Sequence, residues 1–455
     1  MGPIHIHSLE SAFRGELFRP GDAGYDQARR IWNASIDKHP AVIARCAGVA
    51  DIVSAVRFAR EKNLLTAIRG GGHNVGGRAL CDDGIVIDLS RMRSVHVNPA
   101  SRTVRAQGGA TLEVLDRETH AFGLAVPSGV VSKTGIAGLT LGGGVGWLIR
   151  KYGMSIDNLL SCQVVTADGK ILEASSSEND DLFWALRGGG GNFGVVASFE
   201  FRAHPVDAIV GGMLVYPRVA AHDVIRNLRD YMATAPDEVT AYAALLTAPD
   251  GSPAVATVVC YCGPEEDAEK ALAPLRGFGS PVMDAIQRLP FPAMQALIAP
   301  SFPDGNHNYW KSSVMHDFPD EAVSTVIEYA NRMASPLSMM IIEYYGGAAG
   351  RVARDATALA HRNLPWDIVI AAQWTDPAES PRHRDWARDT EEALQPFASR
   401  AHFLGALDSE SQDIINAAFG ANLPRLAAIK SKYDPANFFR VNQNIRPAMT
   451  QTAAG

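Results

Sequence analysis

The sequence predicts an α+β fold in two parts, and three observations carry that prediction. Glycine-rich blocks flanked by short strands and helices all lie before Pro205. Beyond Pro205 the blocks stop, and longer helical patterns alternate with strands of an antiparallel sheet flanked by helices. Near the other end, the polar stretch from Lys432 to Pro447 reads as a chain returning to the first part. With 455 residues the chain exceeds one ordinary core. The expected division is 1–205, 206–424 and a returning segment 425–455.

Ala41 to Arg45 and Leu64 to Ile68 read as strands. Between them Ile52, Val53, Ala55, Val56, Phe58 and Ala59 recur at helical spacing. This unit ends in Arg69-Gly70-Gly71-Gly72-His73-Asn74, before the next strand from Ile85 to Leu89. Consecutive glycines present bare N–H groups and tolerate positive φ, which suits a loop wrapping a diphosphate. Arg69 would add a cationic fork. A plain tight turn is the alternative, and the run alone does not decide. Short strands follow around Val95 to Val97, Thr103 to Ala106 and Gly108 to Ala110, then a helix from its N-cap Thr111 to Phe122. His96 and His120 on these elements read as structural or surface residues.

The second block, Gly135 to Gly146, is too glycine-rich for continuous helix, because each glycine costs about 1 kcal/mol against alanine. Backbone held against a flat ligand is the economical reading, with Gly135, Gly138, Gly142, Gly143 and Gly146 as contacts. A helix pressed on another element is the alternative. The third block, Arg187 to Gly194, spells G-x-G-x-x-G through Gly189, Gly191 and Gly194. A dinucleotide fingerprint needs a strand before it and a helix after it. Here the helix Asp180 to Leu186 precedes and the strand Val195 to Phe201 follows, so that reading is rejected.

In the second part, Ala221 to Ala235 reads as a helix, and Tyr242 to Leu246 pairs with Ala254 to Tyr261. Further helices are expected at Glu265 to Ala273, Pro319 to Met333 and His383 to Gln395, with strands at Leu337 to Tyr345 and Trp366 to Trp374. Strand alternation puts Glu343 and Tyr345 on one face. Glu343 is the first candidate for a general base, with a salt bridge at the domain junction as the alternative. Tyr345 is a second base or a hydrogen-bond donor, and Lys311 is expected to face the same cavity.

Composition excludes several classes. The chain is 47% hydrophobic and 20% charged with net charge −7, as in soluble globular proteins. It lacks the basic cluster that nucleic acid or an anionic membrane would need. No apolar run approaches ~18 residues, and the N-terminus does not read as a signal peptide. The five cysteines are odd in number and scattered, which argues against a disulfide framework and for a reducing, cytoplasmic setting. No metal site is expected, since His5-Ile6-His7 has no further histidines at ligand spacing and Cys260-Tyr261-Cys262 reads as strand core.

Taken together, Arg69 to His73, Gly135 to Gly146, Arg187 to Gly194, Tyr345-Gly346-Gly347 and Tyr433 to Pro447 resemble the FAD-linked oxidases of the vanillyl-alcohol-oxidase type, in the berberine-bridge-enzyme-like branch. The resemblance covers essentially the whole chain. It implies a two-part, PCMH-type FAD-binding domain and a substrate domain. It implies that FAD is held by Arg69, Gly70, Gly71, Gly72 and Asn74, joined covalently to His73, and touched by Val196, Asn442 and Asn444. Many members carry a second, cysteinyl flavin link, but Val131 occupies that position, so only the His73 link is expected. The missing cysteine tilts the expectation towards a smaller or more apolar substrate. The implied chemistry is hydride transfer from an alcohol or amine carbon to flavin N5, with O₂ reoxidising the flavin to give H₂O₂. Thr134, small where a bulky residue would block oxygen, favours an oxidase. A monooxygenase or dehydrogenase, and a flavin-holding protein without turnover, are the rival readings. Substrate identity and oligomeric state stay open.

Overall fold

The computed structural model describes residues 5–399 and 411–448. Near the N-terminus, β1 (Glu16–Phe18), β2 (Val42–Arg45), helix α1 (Val49–Glu61), β3 (Thr66–Arg69) and β4 (Ile85–Asp88) form one α/β unit. Its strands lie in the order β1-β2-β4-β3, with β2, β4 and β3 parallel and β1 antiparallel to β2. The periodic residues Ile52, Ala55, Val56, Phe58 and Ala59 of α1 are all buried against this sheet's core. β5 (Val95–Asn98), β6 (Thr103–Gln107), helices α2 (Leu112–His120) and α3 (Ile136–Leu141), β7 (Leu159–Val165), β8 (Ile171–Ser175), helix α4 (Asp180–Leu186) and β9 (Val195–Arg202) follow. These strands make an antiparallel sheet in the order β5-β6-β9-β7-β8.

The expected strand from Gly108 to Ala110 is instead a close turn. A side chain on Gly109 would lie 1.8 Å from the Leu89 carbonyl oxygen, and the Gly109 amide donates to the Met92 carbonyl. Close approach to both sheets fixes this segment, since the Gly108 amide also donates to the Ala197 carbonyl of β9 at 2.9 Å.

The third sheet begins at β10 (Ala208–Pro217), which leads into helix α5 (Ala221–Met232). β11 (Val239–Thr247), β12 (Pro253–Tyr261), β13 (His307–Met315), helix α6 (Asp320–Ala330), β14 (Met339–Tyr344), β15 (Trp366–Trp374) and helix α7 (Ser380–Leu394) follow. Pairing is antiparallel in the order β10-β12-β11-β14-β15-β13, with two short segments, Met283–Asp284 and Gln287–Pro290, along β10. Because side chains alternate, one face carries Met340, Ile342, Ile368, Ile370, Tyr309 and Trp374 into a core shared with α5, α6 and α7. The other face carries Met339, Ile341, Ala371 and Trp310 into an apolar cluster with Trp32, Val75 and Val131 of the N-terminal part. The site lies against this second face.

Helices α8 (Gln412–Phe419) and α9 (Leu423–Tyr433) correct one expected boundary. Their apolar residues Ile415, Ala418, Phe419, Leu426 and Ile429 sit in the core of the second sheet, beside Phe193 and Leu186. The return to the first part therefore begins by Gln412, not at residue 425. The irregular tail beyond α9 stays on that part, burying Phe438 and Phe439 in the core of the first sheet and Ile445 in that of the second.

Candidate active site

β3 delivers Arg69 to the start of the first glycine loop. A side chain at Gly71 would lie 2.5 Å from Gly135, and one at Gly135 would lie 2.3 Å from the Gly71 nitrogen. The first two glycine blocks thus meet backbone to backbone. Arg69 donates from its guanidinium to the Ala28 carbonyl at 2.5 Å, and the Asn74 side chain accepts from the Arg78 amide. Next in the loop, the His73 imidazole stacks on the Trp32 indole, centroids 4.3 Å apart and planes within 12°. Burial holds the His73 pKa down to about 4, so the ring is neutral at physiological pH. Its buried Nε2 has no hydrogen-bond partner among the described residues.

The second block divides its work. Gly138 is exposed and opens onto space, where a side chain would meet nothing within 4 Å. Beside it, the buried Thr140 hydroxyl has no partner among the described residues. Gly142 ends α3, Gly143 takes φ +127°, and Gly146 presses on the Ser128 carbonyl. For Gly143 and Gly146, backbone conformation and packing account for the glycine without a ligand, whereas a side chain at Gly142 would come no nearer than 3.4 Å to a neighbour. Thr134 is half-buried, its amide donating to Val131 and its carbonyl accepting from Leu112. Val196 turns its side chain into the second sheet's core, while its carbonyl would lie 2.4 Å from a side chain on Gly108.

The tail is fixed to the third block by buried polar groups. Lys430, wholly buried, donates to the Asn192 and Phe439 carbonyls and to Asp434. Asn192 donates to the Gly189 and Gln443 carbonyls and accepts from the Ile445 amide. Asn442 donates to the Gly191 and Phe439 carbonyls. The side-chain oxygens of Asn442 and Asn444 are left buried without partners among the described residues. Asn192 and Lys430 had no signal in the sequence beyond lying in polar stretches.

Across from these loops, the third sheet presents an acid cluster. β14 and β15 pair Glu343 directly with Asp367. The Tyr345 hydroxyl donates to Glu343 and lies 3.3 Å from Asp367, which also accepts from Ser312 at 2.6 Å. Asp367 is fully buried and Glu343 half-buried, so Glu343 is the more open member. Burial first, then the nearby Asp367 charge, raises the Glu343 pKa to about 8; burial raises Asp367 to about 6. Tyr345 is pushed well up by burial and by Glu343. The pair therefore titrates as a unit near neutral pH.

Glu343 and Tyr345 come together as alternation predicts. Lys311 does not join them: it lies opposite Ile370, on the helical face, where it pairs with Glu391 of α7 at 3.1 Å. The odd–even register of β13 puts Trp310 and Ser312, not Lys311, on the face of Glu343. Asp367 and Ser312 were not anticipated. An aspartate inside the otherwise apolar run Trp366 to Ala372 was the available signal.

This arrangement fits a large polyanionic, flat-ringed cofactor. Unpartnered polar atoms on Arg69, His73, Thr140, Asn442 and Asn444 belong to the two glycine blocks and the tail, and Gly138 leaves space open. A glycine-loop cradle on one side and a buried acid cluster on the other suit an enzyme that sets a bound cofactor against a proton-accepting group. Comparison with known proteins agrees. Residues 40–175 match the FAD binding domain family, and residues 403–446 match the family described as berberine and berberine like. An FAD-linked oxidoreductase of Dictyostelium discoideum is 32% identical over 97% of each chain. The (R)-6-hydroxynicotine oxidase of Paenarthrobacter nicotinovorans is 33% identical over 96% of this chain and 97% of its own. The crystal structure of 6-hydroxy-D-nicotine oxidase from Arthrobacter nicotinovorans superposes with a TM-score of 0.89 at 30% identity, covering 97% of this chain and 99% of that one. The chain belongs to the FAD-linked oxidoreductases of the vanillyl-alcohol-oxidase type, in their berberine-bridge-enzyme-like branch, and is an FAD-dependent oxidoreductase. Among its described residues no helix is long and apolar enough to cross a membrane.

Proposed function

We propose that this enzyme is an oxidase of small, partly apolar alcohols or amines, with O₂ as the final acceptor. The observation that carries the proposal is the Glu343–Tyr345–Asp367 cluster on the sheet face shared with Trp310, Ile341 and Met339. FAD, when bound, supplies the two-electron acceptor for the substrate C–H bond that breaks. Glu343 accepts the proton of the substrate O–H or N–H. Tyr345 orients the Glu343 carboxylate through its hydroxyl, and Asp367 tunes the basicity of Glu343 by its charge. Trp310, Ile341 and Met339 exclude water around the reacting carbon.

Arg69, Gly70, Gly71, Gly72, Asn74, Gly135 and Gly138 hold the cofactor, with Asn442 and Asn444 at its polar edge. His73 is its single covalent attachment point, since Val131, packed with Trp32, has no thiol to offer. Thr134 leaves room for O₂ beside the second glycine block. The five free, buried cysteines support a reducing, cytoplasmic setting.

The test is peroxide release from the flavin-loaded enzyme with a panel of secondary amines and benzylic alcohols. One H₂O₂ per substrate oxidised supports an oxidase. Oxygen incorporated into product would make it a monooxygenase, and turnover only with an artificial acceptor would make it a dehydrogenase.

A further inference from the structure

The inner face of the third sheet is graded from acid to apolar, and the grading deepens the proposed oxidase reading, on which this inference rests. Antiparallel register arranges the side chains of β11, β14, β15 and β13 in rows across the strands. Glu343 lies opposite Asp367, and these are the only carboxyl groups on that face of the four strands. Two residues along β14, about 7 Å away at the usual rise per residue, Ile341 lies between Ala244 and Val369. Ser312 continues this second row, but it is fully buried and its hydroxyl proton goes to Asp367 at 2.6 Å. Two residues further along, Met339 lies opposite Ala371, which in turn faces Trp310, and Leu246 joins the same apolar cluster. Trp310 is braced by Trp32 and Phe302, with centroids 5.5 Å away in each case, and its N–H donates to Asn308 at 3.3 Å. Its polar atom is occupied, so the ring surface it leaves open is apolar.

Burial separates the packed part of this face from the open part. Asp367, Val369, Met339 and Ala371 are buried, whereas Glu343, Ile341, Ala244, Leu246 and Trp310 are partly exposed. The open residues form one strip facing the N-terminal part, with a carboxyl group at one end and four apolar side chains beyond it. Lys133 and Asp304, close in the chain to Val131 and Phe302 of the apolar cluster, are exposed and pair with each other at 2.6 Å. Such a strip favours each methylene it covers, but it penalises a charge left without a partner far more strongly.

We propose that this strip is the specificity site of the enzyme. Its substrates are alcohols or amines with one polar end at Glu343 and an uncharged aromatic or alkyl tail. The tail runs over Ile341 and Ala244 to Leu246 and Trp310. A substrate with a second charge on that tail is rejected.

The experiment uses the flavin-loaded enzyme and para-substituted α-methylbenzyl alcohols bearing hydrogen, ethyl, butyl, carboxylate or trimethylammonium. Each alcohol would be oxidised to its ketone as O₂ is reduced to H₂O₂. The matching tertiary alcohols, which lack the C–H bond that breaks, are titrated by calorimetry, so binding is read without turnover. Both kcat/KM and affinity are expected to rise about fourfold per methylene covered. The two charged tails are expected to fall at least about a hundredfold below butyl. Leu246→Glu places a carboxylate at the apolar end and should raise the trimethylammonium-to-butyl ratio about tenfold or more. Leu246→Gln, of the same size but uncharged, should not. Should Leu246→Glu not fold, the wild-type series alone decides. Charged and alkyl tails handled alike by wild type, or equal ratios in Leu246→Glu and Leu246→Gln, overturn the proposal and leave the oxidase reading standing. Tertiary alcohols that bind in the expected order while no secondary alcohol is oxidised overturn the oxidase reading instead.

Discussion

The acid cluster makes a prediction in which neighbouring substitutions move one titration in opposite directions. Glu343 is raised from an ordinary value of 4.5 to about 8, a cost to its ionised form on the order of 5 kcal/mol. A base must be ionised to take a proton, so kcat/KM should climb about tenfold per pH unit below 8 and level off above it. At pH 7 the enzyme should run at roughly a tenth of its plateau rate. Asp367→Asn removes the charge that pushes Glu343 up, so the limb should move to lower pH. Tyr345→Phe removes a hydrogen bond that pulls Glu343 down, so the limb should move to higher pH. Glu343→Gln should abolish the limb and cut kcat/KM by about 10²–10⁴, the usual contribution of a general base. The assay is peroxide release from pH 5 to 10 on enzymes of matched flavin content. A Glu343→Gln enzyme within about threefold of wild type, on the scale set by a general base, would refute the assignment. So would Asp367→Asn and Tyr345→Phe limbs moving the same way.

Other outcomes follow from buried groups outside the cluster. Asp116, fully buried with Gln295 donating to it, is raised from 3.8 to about 7 by burial. Folding therefore favours its neutral form, and its share of stability is lost as pH rises from 3.8 towards 7. Asp116→Asn should stabilise by up to about 2 kcal/mol at pH 5 and about 4 kcal/mol at pH 8, read by calorimetry at both pH values. Lys430→Met leaves Asp434 buried without its cation and should cost about 3–5 kcal/mol in denaturant unfolding. Gly71→Ala drives a methyl into Gly135, so its protein should purify with less flavin than wild type, measured as the ratio of 450 nm to 280 nm absorbance.

Local pattern carried the fold far. Period-3.6 spacing in Val49 to Lys62 and the apolar run from Trp366 to Trp374 mark a helix and a strand because burial selects those residues directly. What sequence pattern does not carry is pairing across long separations. Lys311 and Ser312 differ by one position, and only the register of β13 on β15 decides which faces Glu343. Asp367 meets Glu343 for the same reason. Helices α8 and α9 look amphipathic like those of the second part, so their return to the first part's core shows only in packing. His73 was legible through its glycine loop, whereas its stack on Trp32 joins residues whose proximity no periodicity encodes.

The central claim is that this chain carries FAD on His73. Its most direct test is the visible spectrum of the purified protein before and after acid precipitation, with His73→Ala alongside. Yellow colour that stays with the wild-type pellet and leaves the variant's is the predicted result. Flavin that washes out of both would contradict it.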